Sequence, residues 1–98
     1  MKFLKAFNNS AALVEDDGTE KIVLGKGIGF GLKKGQDVDQ SKIERCFVTT
    51  EQSDEVEQVK EFTAQTIDVT NQIVKLVEPL LQTKFSDFQY LALADHID

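Results

Sequence analysis

The sequence predicts an α+β protein, with a small antiparallel β-sheet of four or five strands over residues 1–55 and a helical segment over residues 56–98. Two observations support this division. Apolar residues of the first half lie in short runs separated by turn signals, whereas those after residue 53 recur at intervals of three and four. The chain has 98 residues, which corresponds to one small domain, or to a very small domain and part of a second.

The first three strands are predicted by apolar runs and by one turn signal. Residues 3–7 alternate in the manner of a half-buried strand, and residues 11–14 form a second apolar run. Asp17-Gly18 suits a tight hairpin turn because glycine adopts the left-handed backbone conformation at little cost. A third strand is therefore expected over residues 21–25.

A glycine-rich stretch, residues 25–31, holds four of the six glycines of the chain at every second position, with Phe30 among them. Glycine inside a strand often marks close approach by another backbone or a ligand, so we expect a fourth strand over residues 28–31 with a docking site around it. A kinked hairpin strand without a ligand is the alternative. A P-loop is excluded because Lys26 is followed by Gly27 and not by Ser or Thr, and strictly alternate glycines do not fit a dinucleotide-binding loop.

A polar loop over residues 33–42 leads to a last strand over residues 45–49, which is rich in β-branched and aromatic residues. Cys46 is the one cysteine of the chain, so it can form no internal disulfide and has no second thiol with which to share a metal. We expect it to be a small core residue of this strand. We expect neither a metal nor an organic cofactor.

The helical segment is predicted by apolar residues at intervals of three and four. Thr70 is expected to cap its stronger part, and Pro79 to kink that helix or end it early. Ser86 followed three residues later by Gln89 forms a capping box, which predicts the start of a new helix. The apolar stripe consists of Val56, Val59, Phe62, Ile67, Ile73, Val74, Val77, Leu80 and Leu81.

The last predicted helix places four apolar residues on one face, with His96 just beside it. The sequence stops at Asp98, about three turns into this pattern. We therefore expect the chain to be the front of a longer protein, with an incomplete helical domain. The four residues of the face are Tyr90, Leu93, Ala94 and Ile97.

The net charge of −6 is divided unevenly between the two halves. Residues 1–50 hold eight basic and seven acidic residues, a balance of +1, whereas residues 51–98 hold three lysines and ten acids, a balance of −7. Such asymmetry indicates two functionally distinct parts. The N-terminal acids cluster, which leaves five lysines free to form one positive face: Lys2, Lys5, Lys26, Lys33 and Lys34.

Localisation is predicted by what the sequence lacks. No apolar run approaches the roughly 20 residues needed to cross a bilayer, and the first five residues lack the apolar region of a signal peptide. We expect a cytoplasmic protein that does not insert into a membrane.

Two stretches of the chain resemble one known family, the BglG/SacY-type transcription antiterminators. Residues 90–97 resemble the first histidine-bearing motif of the phosphotransferase-regulated domain of that family. In that family, a co-antiterminator RNA-binding domain precedes the regulated domain. Four segments of this chain resemble it: residues 1–5 with Asn8-Asn9, residues 20–35, Val38-Asp39 and Ile43-Glu44.

This resemblance implies a four-stranded antiparallel sheet that dimerises. The dimer would bind a short, bulged RNA hairpin in the leader of a sugar-utilisation transcript and so exclude an overlapping terminator hairpin. His96 becomes a candidate phosphorylation site, with phosphotransferase-system phosphocarrier proteins as partners. The resemblance places the RNA site at Lys5, Asn8, Asn9, Ser10, Gly25, Lys26, Gly27, Phe30 and Lys33.

The chemistry of these residues suits RNA. Proteins read RNA where bases are unstacked, by aromatic stacking and by amides matched to base edges, and Phe30, Asn8 and Asn9 supply those groups. The lysines can neutralise phosphates without reading sequence, and the glycines let the RNA backbone approach. The chain departs from the family at Ser10, where many members have a third amide, and at Lys26, where arginine is common, so base specificity is affected there.

Other interpretations are weighed against RNA binding. Asn8-Asn9 can be simple turn formers and Phe30 a core residue. A protein-interaction module with no RNA ligand would explain the helical half but would leave the glycine, asparagine and phenylalanine residues without a role. An enzyme using His96 with Asp95 is disfavoured because adjacent helical residues point in different directions. Cys46, the other possible partner of that histidine, lies in mid-strand. We expect no catalysis.

Overall fold

The computed structural model describes residues 1–48 and 54–98, apart from the side chains of residues 55 and 56. Within these described residues, four antiparallel strands form one sheet in the order β1-β2-β3-β4, and three helices follow. This confirms the predicted four-stranded sheet followed by helices. The elements are β1 (Lys2–Asn8), β2 (Ala11–Asp16), β3 (Thr19–Leu24), a 3-10 turn (Gln40–Lys42), β4 (Arg45–Val48), α1 (Asp54–Glu61), α2 (Ala64–Leu81) and α3 (Asp87–Ile97).

The β2–β3 hairpin has the predicted tight turn. Asp16 pairs with Thr19 at the end of the ladder, and Asp17 and Gly18 between them have φ values of 50° and 80°. Two positive φ values give a turn whose twist matches that of the flanking strands. The tight hairpin turn predicted from Asp17-Gly18 is therefore confirmed.

The predicted strand over residues 28–31 is wrong. The chain there forms successive turns, in which the amide of Ile28 donates to the carbonyl of Gly25 at 3.1 Å and that of Phe30 donates to Gly27 at 3.2 Å. Alternate glycines imitate the period of a strand, but their freedom to take positive φ lets the backbone turn. The fourth strand of the sheet is β4.

Both faces of the sheet are covered by the same chain. Successive residues of β2 and β3 alternate between two apolar clusters, as the pleat requires. The first cluster joins the sheet to the helices through Ala11, Leu13, Ile22, Leu24, Phe47, Val59, Phe62, Ile67, Val74, Tyr90, Leu91 and Ala94. The second lies under the loop between β3 and β4 and consists of Phe3, Ala12, Val14, Val23, Ile28 and Val38.

Cys46 is exposed, and its predicted place in the core is wrong. Its neighbour Phe47 is the buried residue of β4 and packs edge-to-face on Tyr90, with ring centroids 5.7 Å apart. Because side chains alternate along a strand, Cys46 and Val48 point away from the helices and stay exposed. The predicted end of this strand at Thr49 lies outside the described residues.

Thr63, and not Thr70, caps α2. The hydroxyl of Thr63 accepts a hydrogen bond from the amide of Thr66 at 3.0 Å. The predicted cap at Thr70 is wrong because this residue lies buried inside the helix, where its hydroxyl donates to the carbonyl of Thr66 at 2.7 Å. A threonine can satisfy its hydroxyl in this way without ending a helix.

The other helix boundaries agree better with the sequence. The predicted capping box of Ser86 and Gln89 is confirmed at the start of α3. Helix α2 ends at Leu81, two residues after Pro79, where Gln82 takes the left-handed conformation with φ of 56°. Proline lacks the backbone N–H that would donate to the preceding turn. Near the end of α2 this disrupts the helix little, because only two helical residues follow Pro79.

The predicted apolar stripe is buried only in part. Val59, Phe62, Ile67 and Val74 are buried in the first cluster, whereas Leu80 and Leu81 at the end of α2 are exposed. The side chain of Val56 lies outside the described part of the chain. On the predicted face of α3, Tyr90 and Ala94 are buried, and Leu93 and Ile97 are half-buried. Within residues 1–48 and 54–98, no helix is both long enough and apolar enough to cross a membrane.

Candidate nucleic-acid interface

Two turns of the chain are hydrogen-bonded to each other at one end of the sheet. The first is the β1–β2 turn at Asn9 and Ser10, and the second is the glycine turn, residues 25–31. The amide of Gly25 donates to the carbonyl of Ser10 at 3.0 Å, and the amide of Gly29 donates to the carbonyl of Asn9 at 3.3 Å. Most of the predicted RNA-binding residues therefore meet in one place.

The glycines of this turn have different roles. A Cβ on Gly25 would lie 1.9 Å from the carbonyl oxygen of Lys42, so the missing side chain makes room for the protein's own backbone. A Cβ on Gly29 would lie 3.0 Å from the Cβ of Ala6. Gly27 has open space around it and a φ of 73°, a conformation that L residues rarely adopt. Of the two predicted site glycines, Gly27 thus leaves room for a ligand and Gly25 serves internal packing.

Phe30 is an exposed aromatic residue of the glycine turn. Its side chain is 74% exposed, so the alternative of a core phenylalanine does not hold. An exposed aromatic ring on a turn can accept a base by stacking. Asn9, in the adjoining turn, is also exposed. These two residues present the aromatic and amide groups that single-stranded bases require.

Asn8 has a partner for each end of its amide. Its Oδ1 accepts from the amide of Ser10 at 2.8 Å, and its Nδ2 donates to the carbonyl of Phe62, beyond the end of α1, at 3.0 Å. The turn-forming role weighed for this residue is therefore real. Its amide also ties the β1–β2 turn to the helical segment.

Ser10 is buried, with 1% of its surface exposed. Its hydroxyl donates a hydrogen bond of 2.7 Å to Oδ1 of Asp68 on α2. In this conformation the side chain is thus turned toward the helices and away from solvent. No local sequence pattern indicates this contact, because the two residues are 58 positions apart.

The predicted basic residues are exposed around the two turns. Lys5, Lys26 and Lys33 all have exposed side chains, and the Nζ of Lys5 lies 5.9 Å from the centre of the Phe7 ring. Lys2 forms an ion pair of 2.8 Å with Asp37. The exposed cations can meet phosphates. The carboxylate of Asp37 partly offsets the charge that Lys2 adds to the predicted positive face.

Lys26 also borders the helical segment. It lines a cavity of about 200 Å³ together with Glu44, which lies just before β4, and with Asp68, Gln72 and Lys75 of α2. Two carboxylates therefore stand near the basic edge of the candidate interface. They oppose the approach of a phosphate from this side.

His96 lies apart in the chain, exposed in the last turn of α3. The adjacent Asp95 is exposed as well. An exposed imidazole is accessible to a modifying protein.

Sequence reasoning missed the contacts that fix α3 on the sheet. The guanidinium of Arg45 on β4 donates to the carbonyl of Phe85 at 2.6 Å and to Asp87 at 3.2 Å, and lies 4.8 Å from the centre of the Tyr90 ring. The Tyr90 hydroxyl donates to Oδ1 of Asn71, and burial raises the pKa of this tyrosine well above its usual range. Each contact spans a long stretch of sequence, so no local pattern could have revealed it.

Comparison with known proteins places residues 1–56 in a match to the family model of the CAT RNA binding domain. Transcription antiterminator LicT of Bacillus subtilis (strain 168) is 33% identical over 103 residues, which cover 100% of this chain and 37% of LicT. Transcription antiterminator LacT of Lacticaseibacillus casei is 27% identical, covering 98% and 34% respectively. The beta-glucoside operon antiterminator of Dickeya chrysanthemi is 28% identical, covering 98% and 35%. The chain thus spans about a third of the length of these relatives.

Two solved structures are also similar. The crystal structure of GlcT CAT-PRDI matches 97% of this chain and 59% of that chain with a TM-score of 0.75 and 24% identity, which supports the fold. LicT in complex with its RNA target matches 53% of this chain and 96% of that chain, with 38% identity and a TM-score of 0.48.

Proposed function

This chain belongs to the CAT RNA binding domain family, and we propose from that premise that it binds a short, bulged RNA hairpin through its two joined turns. The hairpin would lie in the leader of a sugar-utilisation transcript, and binding would hold the RNA in a fold that excludes an overlapping terminator. Three antiterminators that match 98–100% of the chain support this role. The observation that carries the proposal is the pair of hydrogen-bonded turns with Phe30 projecting into solvent.

The division of labour within the site follows from exposure. Phe30 stacks on an unpaired base, and Asn9 beside it offers an amide to a base edge. Lys5, Lys26 and Lys33 neutralise phosphates around these contacts. Gly27 leaves space in which the RNA backbone can approach the turn.

We further propose that the RNA-bound form is a homodimer, symmetric about a two-fold axis. Strand β4 supports this because it is an edge of the sheet and carries the exposed, apolar Val48. Sedimentation of the chain with a bound hairpin should give a complex of two chains. A complex with a single chain at micromolar concentrations would exclude the dimer.

Regulation is proposed to reach the site through the helical half. We assign residues 56–98 to the start of a phosphotransferase-regulated domain and His96 to phosphorylation by a phosphocarrier protein of that system, in the cytoplasm. A phosphoryl group adds about −1.5 to −2 charge units at neutral pH. Exposure of this histidine on α3 supports the assignment. The assignment would be contradicted if phosphorylation of the full-length protein spared His96 and the His96→Ala variant were still regulated.

A binding role explains the site without any catalytic step. The second candidate function is a protein-interaction module, which is favoured by large apolar side chains left exposed on α2 and α3. These are Leu76, Leu80, Leu81 and Phe88.

A gel-shift titration separates the two candidates. The chain is titrated with bulged hairpins from leaders of sugar-utilisation transcripts and with scrambled hairpins of the same length and composition. We expect at least one bulged hairpin to bind at much lower protein concentration than its scrambled control. Equal binding of all RNAs, or none, would leave the interaction module as the better account.

A further inference from the structure

The helical segment occupies part of the candidate RNA site. Asn8 and Ser10, both at the β1–β2 turn, donate their side-chain hydrogen bonds to the helical half of the chain: Asn8 to the carbonyl of Phe62 at 3.0 Å, and Ser10 to Asp68 at 2.7 Å. Lys26 on the glycine turn shares a cavity with the same α2 aspartate. Three members of the predicted site are thus in contact with, or next to, one helical surface.

We propose that α1 and α2 act as an internal competitor for the RNA site, so that the structure is a closed state and RNA binding requires the helices to release the β1–β2 turn. This inference rests on the proposed RNA-binding function and names how the same site is regulated. The competitor surface is defined as the carbonyl of Phe62 and the carboxylate of Asp68.

Hydrogen-bond geometry explains why the two ligands exclude each other. An asparagine reads a base edge with its amide oxygen and nitrogen together. In the closed state Nδ2 of Asn8 donates to the carbonyl of Phe62 at 3.0 Å, so the helical half holds the amide nitrogen, while Oδ1 accepts from the Ser10 amide at 2.8 Å within the turn itself. The Ser10 hydroxyl likewise donates to the carboxylate of Asp68, and Ser10 is almost completely buried. The amide nitrogen of Asn8 and the hydroxyl of Ser10 become available to a base only after the helical contacts break.

Charge acts in the same direction. The helical half carries a balance of −7, from three lysines against ten acids in residues 51–98. One of those acids, Asp68, stands at the site itself. A carboxylate near a bound phosphate is repelled, most strongly where solvent screening is weak. RNA and the α2 carboxylate therefore compete electrostatically as well as for hydrogen bonds.

The experiment measures binding of the whole chain to a bulged hairpin after changes at Asp68. Asp68→Ala removes the acceptor and the charge, Asp68→Asn removes the charge but keeps an oxygen for Ser10, and Asp95→Ala removes an exposed charge on α3. We expect Asp68→Ala to bind about tenfold tighter than wild type, since a hydrogen bond to a charged group is lost only from the closed state. Asp68→Asn should fall between, and Asp95→Ala should stay close to wild type.

Hydrogen exchange gives a second readout that does not depend on affinity. Adding the hairpin to wild-type protein should speed amide exchange in α1 and in the first turns of α2, because those elements lose their contacts with the sheet. Exchange there that is unchanged or slower would overturn the competition.

The outcomes also separate this inference from the proposed function. If wild type binds the hairpin and Asp68→Ala binds no better than Asp95→Ala, the helices do not compete, while RNA binding stands. If the hairpin binds Asp68→Ala but not wild type, the closed state is simply more stable and the inference is supported. If no variant binds any bulged hairpin, both the RNA site and its competitor are wrong.

Discussion

At the scale of single residues, exposure decides which side chains can meet RNA in the closed state. Phe30 and Asn9 face solvent, Asn8 and Ser10 face the helices, and Gly25 is held against the backbone of Lys42. The free energy of binding should therefore be concentrated in the exposed aromatic ring and in the lysines. The buried polar residues contribute only in so far as the helices release them.

Phe30→Ala should weaken binding of a bulged hairpin by about 1–3 kcal/mol, the usual cost of losing a stacked base. The dependence of binding on salt should change little because no charge is removed. Folding should be unaffected, since the ring is 74% exposed. Phe88→Ala, which removes an equally exposed ring from α3, is the matched control and should bind like wild type. Equal affinities for both variants in a gel-shift titration would place the stacking site elsewhere.

Lys33→Ala should behave as the loss of a phosphate contact. We expect it to weaken cognate and scrambled hairpins about equally and to flatten the slope of log K against log salt by up to about one unit. Lys84→Ala, in the loop between α2 and α3, removes the same charge from an exposed position outside the candidate site and serves as the control. Loss of discrimination between hairpins in the Lys33 variant would mean that this lysine reads a base.

The sequence can single out residues of the proposed site where the signal is local. Turn chemistry and an unusual glycine spacing were enough to bring Phe30 and Asn9 to attention. Burial of Ser10 was not predictable because its partner, Asp68, lies on a helix far along the chain. Sequence patterns report the conformation of a segment, and they carry little information about which distant segment packs on it.

At the scale of elements, the predicted boundaries agree with the structure best where a local hydrogen-bonding motif marks them. The capping box at Ser86 satisfies two amides at once and was read correctly. The glycine turn resembles a strand in the sequence because alternate glycines have the period of a strand, but they provide none of its side-chain packing. A hydroxyl alone does not identify the cap of α2: Thr63 has an extended backbone and accepts from the amide of Thr66, whereas Thr70 lies inside the helix and donates to the carbonyl of Thr66.

Ser86→Ala should lower the free energy of unfolding by about 0.5–2 kcal/mol, because the first turn of α3 loses an acceptor for the amide of Gln89. Urea unfolding followed by circular dichroism measures this change. Ser41→Ala, in the 3-10 turn, provides the comparison: it removes an exposed hydroxyl that donates to Asp39 at 2.6 Å but caps no α-helix, so it should cost less. An unchanged midpoint for Ser86→Ala would mean that α3 does not depend on its cap.

At the scale of the whole molecule, the sheet is stabilised by cover on both faces. The helices cover one face and the β3–β4 loop covers the other, so apolar burial is achieved within one chain. This arrangement could not be predicted from the sequence, because the period of a strand shows that a face is buried but not what buries it. Tyr90 lies at the centre of the contact between sheet and helices.

Stability should fall in alkaline solution through this tyrosine. Burial raises the pKa of Tyr90 above its ordinary value of about 10, so the folded state holds the proton more tightly than the unfolded state. The associated stability is fully present below about pH 10 and is lost as pH rises beyond it. Tyr90 is the single tyrosine, so tyrosinate absorbance reports this group alone. We expect absorbance and unfolding to change together, and free titration of the folded protein near pH 10 would contradict burial of the ring.

RNA is proposed to bind the chain at the β1–β2 turn and the glycine turn. NMR titration of the labelled chain with a bulged hairpin tests it most directly, because each backbone amide reports its own surroundings. We predict the largest shifts at residues 8–10 and 25–31, with smaller ones near Lys5 and Lys33, and no comparable set with a scrambled hairpin. Shifts confined to the exposed end of α2 or to α3, with both turns unchanged, would show that the RNA site lies elsewhere or that the chain does not bind RNA.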